Sequence, residues 1–119
     1  MIFDDVVRNA VEETSGALAA VIMGSDGISL SQYVNPEAGI DLETLGIEYA
    51  NLLSETNRSS EAMNAGVLDE LQLSTEKYMT VIRVINPEYF IALIMKPKAN
   101  LGKGRFLLRV NAPSLLKEL

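Results

Sequence analysis

The sequence contains no cysteine and no histidine among its 119 residues, and no tryptophan. Without cysteine the chain forms no disulfide and offers no thiolate nucleophile, which fits a reducing compartment, so we expect a cytoplasmic protein. Without histidine it also lacks the usual general base and a usual metal ligand. The composition therefore disfavours catalytic triads and zinc sites, and we expect neither a metal nor another cofactor.

Long apolar runs and an excess of positive charge are also missing. The longest apolar run has about the length of one strand, and no basic-then-apolar signal pattern opens the chain, so we expect no membrane insertion. The formal net charge of −6 argues against nucleic acid as a partner and against adhesion to an anionic membrane. With 48% hydrophobic residues, the chain is sized for a single domain over residues 1–119.

The strongest structural signal is a pair of apolar runs, Tyr78–Ile85 and Tyr89–Met95, which are separated only by Asn86-Pro87-Glu88. This spacing predicts a β-hairpin. Because both alternating faces of the second run are apolar, this strand has to be covered from both sides. The hairpin therefore predicts a domain of three layers.

The other apolar patterns predict three helices and three further strands. In chain order these are a helix over 3–14, a strand over 17–23, a strand over 28–33, a long helix from Asp41 to about Ala65, a strand over 67–74, and a helix that Asn100 caps. Strand 28–33 alternates apolar residues with serines, which is typical of an edge strand with one wet face. Pro113 is expected to bend the last helix because it removes a backbone donor.

The predicted fold is of the α/β class in its α+β form, with the element order αββαβββα. The first and fifth strands are apolar on both faces and belong in the middle of the sheet. Joining them gives a five-stranded antiparallel sheet of order 2-1-5-4-3. The three helices then cover its two faces as an α/β/α sandwich.

Few residues offer chemistry. The carboxylate pairs Asp4-Asp5, Glu12-Glu13 and Asp69-Glu70 fit a solvated surface better than acid–base catalysis, because adjacent side chains point in different directions. Residues 101–104 resemble a phosphate loop but lack its first glycine and its final Ser or Thr. Arg58 and Arg83 fit solvated or ion-paired arginines better than catalytic fingers.

The long second helix is predicted to turn one continuous face toward the core, formed by Leu42, Leu45, Tyr49, Leu52, Leu53, Thr56, Ser60 and Met63. It also has more interaction surface than one face of the sheet can cover. Gly46, Ala50 and Ser54 form a shallow groove of small residues at i, i+4 spacing, and Ile47 points away from the core stripe. Close packing within the domain and a protein–protein surface explain these residues equally well. Strand 67–74 mixes polar and apolar residues on both faces, which again predicts an edge strand. This favours the second interpretation, because an exposed edge beside such a helix invites pairing with a second copy.

The order and spacing of three segments resemble the roadblock/LC7 family over nearly the whole chain. These segments are strand 16–22 with the Ser25-Asp26-Gly27 turn, the long helix from Asp41 with its small-residue flank, and residues 100–109 at the start of the last helix. The resemblance implies a homodimer, or a dimer with a related roadblock chain, built from the second helix and third strand. It also implies non-enzymatic work on a partner, a small Ras-like GTPase.

Carried over by position, the resemblance implies two sets of contact residues. The predicted partner platform comprises Ile47, Ala50, Asn51, Ser54 and Arg58. The predicted dimer interface comprises Gly46, Asp69, Leu71 and Leu73. Because the sequence ends with the last helix, we expect it to lack the C-terminal tail contacts of some relatives, which favours scaffolding over activation of GTP hydrolysis.

The sequence thus predicts a dimeric regulator or scaffold for a small Ras-like GTPase, without a catalytic site of its own. The alternative is a sensory or small-ligand-binding module of the profilin-like or PAS-like type, which would need an internal pocket. The alanine-rich first strand favours close packing over a cavity. An enzyme of unrecognised type is the third hypothesis.

Overall fold

The computed structural model describes residues 2–119 of the chain. Its elements are α1 (Ile2–Glu13), β1 (Ala17–Gly24), β2 (Ser29–Val34), α2 (Leu42–Ala62), β3 (Glu70–Ser74), β4 (Met79–Asn86), β5 (Tyr89–Met95) and α3 (Leu101–Glu118). The strands form one antiparallel sheet of order β2-β1-β5-β4-β3. The predicted fold class, element order and strand order are confirmed.

The sheet separates two hydrophobic cores. One core lies under α1 and α3 and includes Ala20, Ile22 and Leu93, while the other lies under α2 and includes Val21, Ala92 and Ile94. Successive residues of β1 and β5 enter opposite cores, as the alternation of a strand requires. This is why both faces of these two strands had to be apolar.

Small residues allow the layers to approach closely. A Cβ added at Gly104 of α3 would lie 2.9 Å from Leu93 Cδ2, and one added at Gly46 of α2 would lie 2.5 Å from Met23 Cε. Gly16 stands against Ala99 with a φ of +86°, a conformation that favours glycine. The contact holds the start of β1 against the loop that leads into α3.

Strand β2 differs from the sequence expectation in which of its faces is covered. Ser31 is buried and its hydroxyl donates a hydrogen bond to Asp4 on α1, whereas Ile28 is 65% exposed and Leu30 is also exposed. An irregularity in the β1–β2 register at Ile22/Met23 accompanies this arrangement. Ser31 therefore faces the covering helix α1, whereas Ser29, Leu30 and Gln32 are exposed.

The connection between α2 and β3 is longer than predicted. Helix α2 ends at Ala62 rather than near Ala65, and β3 begins at Glu70 rather than Val67. Positive φ angles at Asn64 and Gly66 reverse the chain there, and the Ser60 hydroxyl donates to the Gly66 carbonyl at 2.8 Å. Val67 is left 92% exposed.

Helix α3 runs through Pro113 as one helix, and Asn100 caps it by accepting a hydrogen bond from the Lys103 amide at 3.1 Å. Its buried residues are Gly104, Leu108 and Leu115, whereas Leu116 is exposed. Among residues 2–119, no helix is long and apolar enough to cross a membrane.

Candidate protein–protein interface

Helix α2 begins at a well-formed cap and exposes one mostly polar face, with Ile47 in it, to solvent. Asp41 accepts hydrogen bonds from the Thr44 hydroxyl and amide, and these bonds hold the pKa of the Asp41 carboxyl below its usual range. Four exposed residues follow one another at spacings of three or four positions along the helix: Ile47, Asn51, Ser54 and Arg58. We call these four residues the outer stripe of α2.

The small residues of α2 differ in burial: Gly46 and Ala50 are buried, and Ser54 is exposed. Gly46 packs on Met23 and Ala50 is buried, so both serve first to bring α2 close to its own sheet. Ser54 remains exposed. The contact roles predicted for Gly46 and Ala50 stay predictions, and neither residue belongs to the outward surface of the protomer.

Tyr49 fixes the other side of α2 to the sheet. Its hydroxyl lies 2.9 Å from the hydroxyl of Thr80 on β4, and both residues are buried. Burial is the main cause that raises the pKa of Tyr49, although the hydrogen bond with Thr80 acts in the opposite direction. This bond is a polar contact inside the α2 core, and it fixes the rotation of the helix on the sheet.

The flank of α2 opposite the outer stripe carries apolar side chains that the sequence had placed in the core. Leu52 is exposed, and Met63, which follows the helix, is 70% exposed. Leu45 and Thr56 beside them are half-buried. We call Leu45, Leu52, Thr56 and Met63 the apolar flank of α2.

A groove of about 380 Å³ lies between α2, the α2–β3 connection and the β4–β5 turn. Its walls include Ala50, Leu53 and Ser54 of α2 together with Leu68 and Phe90. The groove thus adjoins two residues predicted to contact a partner. It is open to solvent rather than enclosed in the core.

Strand β3 pairs with β4 on one side, and no strand within residues 2–119 pairs with its other edge. The Val84 amide donates to the Asp69 carbonyl and the Thr75 amide donates to the Tyr78 carbonyl. With the observed register, these bonds put Gln72 opposite Val81 in a pair that does not exchange hydrogen bonds. The backbone N–H and C=O of Gln72 therefore point outward, away from β4.

The predicted seam residues lie along this open edge. Leu71 and Leu73 are half-buried and pack against the α2 core, and Asp69 is exposed just before the strand begins. The side chains of the two leucines therefore already serve the protomer. What β3 offers to a neighbour is its backbone edge and the outer parts of these side chains.

A charged cluster on the opposite face of β3 was not foreseen from the sequence. Glu70, whose side chain is 12% exposed, accepts hydrogen bonds from Arg105 of α3 at 2.8 and 3.1 Å and lies 3.8 Å from Arg83 of β4. Burial raises the pKa of Glu70, but the hydrogen bonds from Arg105 and Gln72 and the two arginine charges outweigh it and lower the pKa. Arg83 is thus ion-paired, as the sequence favoured.

The structure also locates the residues that the sequence offered for chemistry. Among residues 2–119, no group of three or more His, Cys, Asp or Glu side chains could hold a metal ion. The segment that resembles a phosphate loop is the capped start of α3. Arg58 pairs with Glu55 on its own helix, with Nε to Oε1 at 3.0 Å.

Comparisons with known proteins agree with this architecture. MglC from Myxococcus xanthus is 39% identical over the full length of both chains, with a TM-score of 0.72. A Roadblock/LC7 domain from Streptomyces avermitilis has the same fold at 13% identity, covering 95% of this chain and 97% of that one, with a TM-score of 0.76. The chain belongs to the roadblock/LC7 family.

A second relative by fold is the gliding protein MglB from Thermus thermophilus. It is 18% identical, the match covers 98% of this chain and 87% of that chain, and the TM-score is 0.86. The chain matches no protein-family model and no curated protein. The family assignment of this roadblock protein thus rests on solved structures.

Proposed function

We propose that this roadblock/LC7 protein is a cytoplasmic dimer that binds a small Ras-like GTPase through the outer stripe of α2. It acts as a regulator or scaffold and has no catalytic site of its own. The open backbone edge of β3 is the observation that carries this proposal. Relationship to MglC, and the family resemblance in the sequence, support the same role.

Pairing of two β3 edges would remove the unpaired backbone groups of both copies. Antiparallel strands joined in one sheet are related by a two-fold axis perpendicular to that sheet, so both α2 helices would lie on the same face. The exposed apolar flank of α2 would gain burial in that arrangement. The two outer stripes, which lie away from the flanks, would then stand on the same face of the joined sheet, one on each side of the seam.

The dimer is tested by a proline on the open edge. Leu71→Asp would disturb the core of the protomer as well as the seam, because Leu71 packs against the α2 core. Gln72→Pro removes an outward N–H and the exposed side-chain hydrogen bond to Glu70, but it keeps the β3–β4 ladder. Light scattering is expected to show a dimer for the native chain and a monomer for Gln72→Pro.

The other edge of the sheet supplies the matched control. In β2, the Asn35 amide donates to the Leu18 carbonyl, which with the observed register turns the backbone of Gln32 outward in the same way. Gln32→Pro should leave the dimer intact. A native monomer, or a dimer that both prolines disrupt equally, would contradict the β3 seam. If the chain pairs only with a related chain, the homodimer is replaced by a mixed dimer.

GTPase binding is tested separately from dimer formation. Asn51→Arg places a large cation in the middle of the outer stripe, and Asn9→Arg makes the same change on an exposed position of α1, on the opposite face of the sheet. A bacterial Ras-like GTPase loaded with GDP or with a non-hydrolysable GTP analogue is titrated by calorimetry. We expect binding in one nucleotide state, a loss of at least about tenfold for Asn51→Arg and no change for Asn9→Arg.

Binding of a small apolar ligand is the second candidate function, because the groove beside α2 falls within the size range of ligand sites, about 300–1,000 Å³. Its lining of Leu53, Val84 and Phe90 with Ser54 and Asn57 at the rim fits such a ligand. A native monomer that binds a hydrophobic dye, and loses it on Leu53→Asn, would favour this function over the GTPase platform.

A further inference from the structure

The positive charges of this acidic protein are concentrated in its last quarter. Residues 96–119 contain six basic residues and one acidic residue, a net charge of +5, which leaves −11 on residues 1–95 of a chain whose total is −6. The basic residues are Lys96, Lys98, Lys103, Arg105, Arg109 and Lys117. The overall charge therefore conceals a basic surface at α3 and the loop before it.

Helix α3 has apolar side chains on its outer face as well as on its buried face. Leu108 and Leu115 are fully buried against the sheet. Phe106, Val110 and Leu116 are between 47 and 49% exposed. The helix therefore presents apolar side chains to solvent among basic ones, and the Arg109 guanidinium lies 6.0 Å from the Phe106 ring centre.

Most of these cations are free to meet an anionic surface. Arg105 is engaged by Glu70, but within residues 2–119 none of the four lysines of the segment forms an ion pair. The opposing charges on or beside α3 are Glu70, which pairs with Arg105, and Glu118 at the end of the helix. The exposed acids of α1 lie in the same layer, but α1 packs over β1 and β2 whereas α3 packs over β4. Screening over about 8–10 Å confines the effect of either patch to its own surroundings.

We propose that the outer face of α3 docks on an anionic membrane surface. A convex helix ridge with flexible lysines suits a layer of lipid headgroups, into which half-exposed Phe106, Val110 and Leu116 can insert. A protein partner would need a groove that fits this ridge closely, and nothing in the shape of the ridge requires such a groove. Since α2 lies on the opposite face of the sheet, the membrane and a partner on the outer stripe can be bound together.

Vesicle co-sedimentation tests this proposal with the native chain. Vesicles of three parts phosphatidylcholine and one part phosphatidylglycerol should bind the protein, and vesicles of phosphatidylcholine alone should not. Binding should fall steeply as salt is raised from about 0.05 to about 0.3 M. Lys103→Glu should weaken binding at least about tenfold because it reverses one charge, and Phe106→Ser should weaken it several-fold at constant charge.

Two variants outside α3 serve as matched controls. Lys77→Glu makes the same charge reversal in the β3–β4 turn, and Val67→Ser removes an exposed apolar side chain on the other face of the sheet. Both should bind vesicles as the native chain does. Absence of vesicle binding, or equal losses of vesicle binding for Lys77→Glu and Lys103→Glu, would overturn the proposal. Binding to soluble polyglutamate without binding to vesicles would assign the outer face of α3 to an acidic protein instead.

Discussion

The hydrogen bond between Tyr49 and Thr80 should behave as a coupled pair in the stability of the protein. Tyr49→Phe deletes one hydroxyl and leaves that of Thr80, which is 1% exposed, without a partner. Leaving a buried polar group unsatisfied costs about 1–3 kcal/mol. Thr80→Val strands the Tyr49 hydroxyl in the same way, and we expect a loss of similar size.

The double variant decides the issue, because Tyr49→Phe with Thr80→Val removes both hydroxyls and keeps both shapes. Its cost should be smaller than the sum of the two single losses by about 1–2 kcal/mol, since no polar group is left unsatisfied. Urea unfolding at one fixed protein concentration measures all four proteins, because the stability of a dimer depends on concentration.

Tyr33→Phe is the control for the loss of a tyrosine hydroxyl. The Tyr33 hydroxyl lies 3.5 Å from Glu12 at an exposed site, so its removal should change stability by less than about 0.5 kcal/mol. Additive losses in the double variant would refute the coupling. They would mean that each hydroxyl is satisfied independently of the other.

Two further predictions concern the charged cluster and the packing of a glycine. Because the pKa of Glu70 is lowered in the folded protein, its ionised form stabilises the fold at neutral pH. This contribution is lost as the pH falls through the folded-state pKa. Glu70→Gln should therefore flatten the acid limb of the stability–pH profile measured by urea titrations at several pH values. Gly16→Ala should cost about 2–4 kcal/mol in thermal unfolding, because the new Cβ would lie 2.7 Å from Ala99 Cβ at a positive φ, whereas Gly39→Ala, with a positive φ but open space, should cost only about 1 kcal/mol.

The sequence predicted the architecture where local pattern and burial agree. Strand β5 is apolar on both faces, which required covering layers on both sides and placed it beside β1 in the centre of the sheet. The caps at Asp41 and Asn100 were predicted because a single side chain satisfies a nearby amide. Signals of this kind act within a few residues and need no knowledge of distant neighbours.

Features that depend on distant residues were missed. Glu70 and Arg105 are 35 positions apart, and only the packing of α3 beside β3 and β4 brings them together. Ser31 is buried because its hydroxyl donates a hydrogen bond to Asp4 of α1. The alternation of residues within β2 does not indicate this contact. The outward apolar flank of α2 was likewise assigned to the core, since helical periodicity alone does not show how wide a face the sheet covers.

The unequal covering of the two sheet faces gives a physical reason for dimer formation. Helices α1 and α3 share one face, whereas α2 alone covers the other, and there Leu71, Leu73 and Tyr78 remain half-buried. These residues lie at the β3 side of the sheet, where the backbone edge is also open. A second protomer joined at that edge would bring its own α2 to the same side and cover them, so one contact would satisfy the unpaired strand and the incomplete core together. Strand β2 gives a weaker reason, because α1 packs over it and buries Ser31, and the exposed Ile28 and Leu30 there belong to neither core.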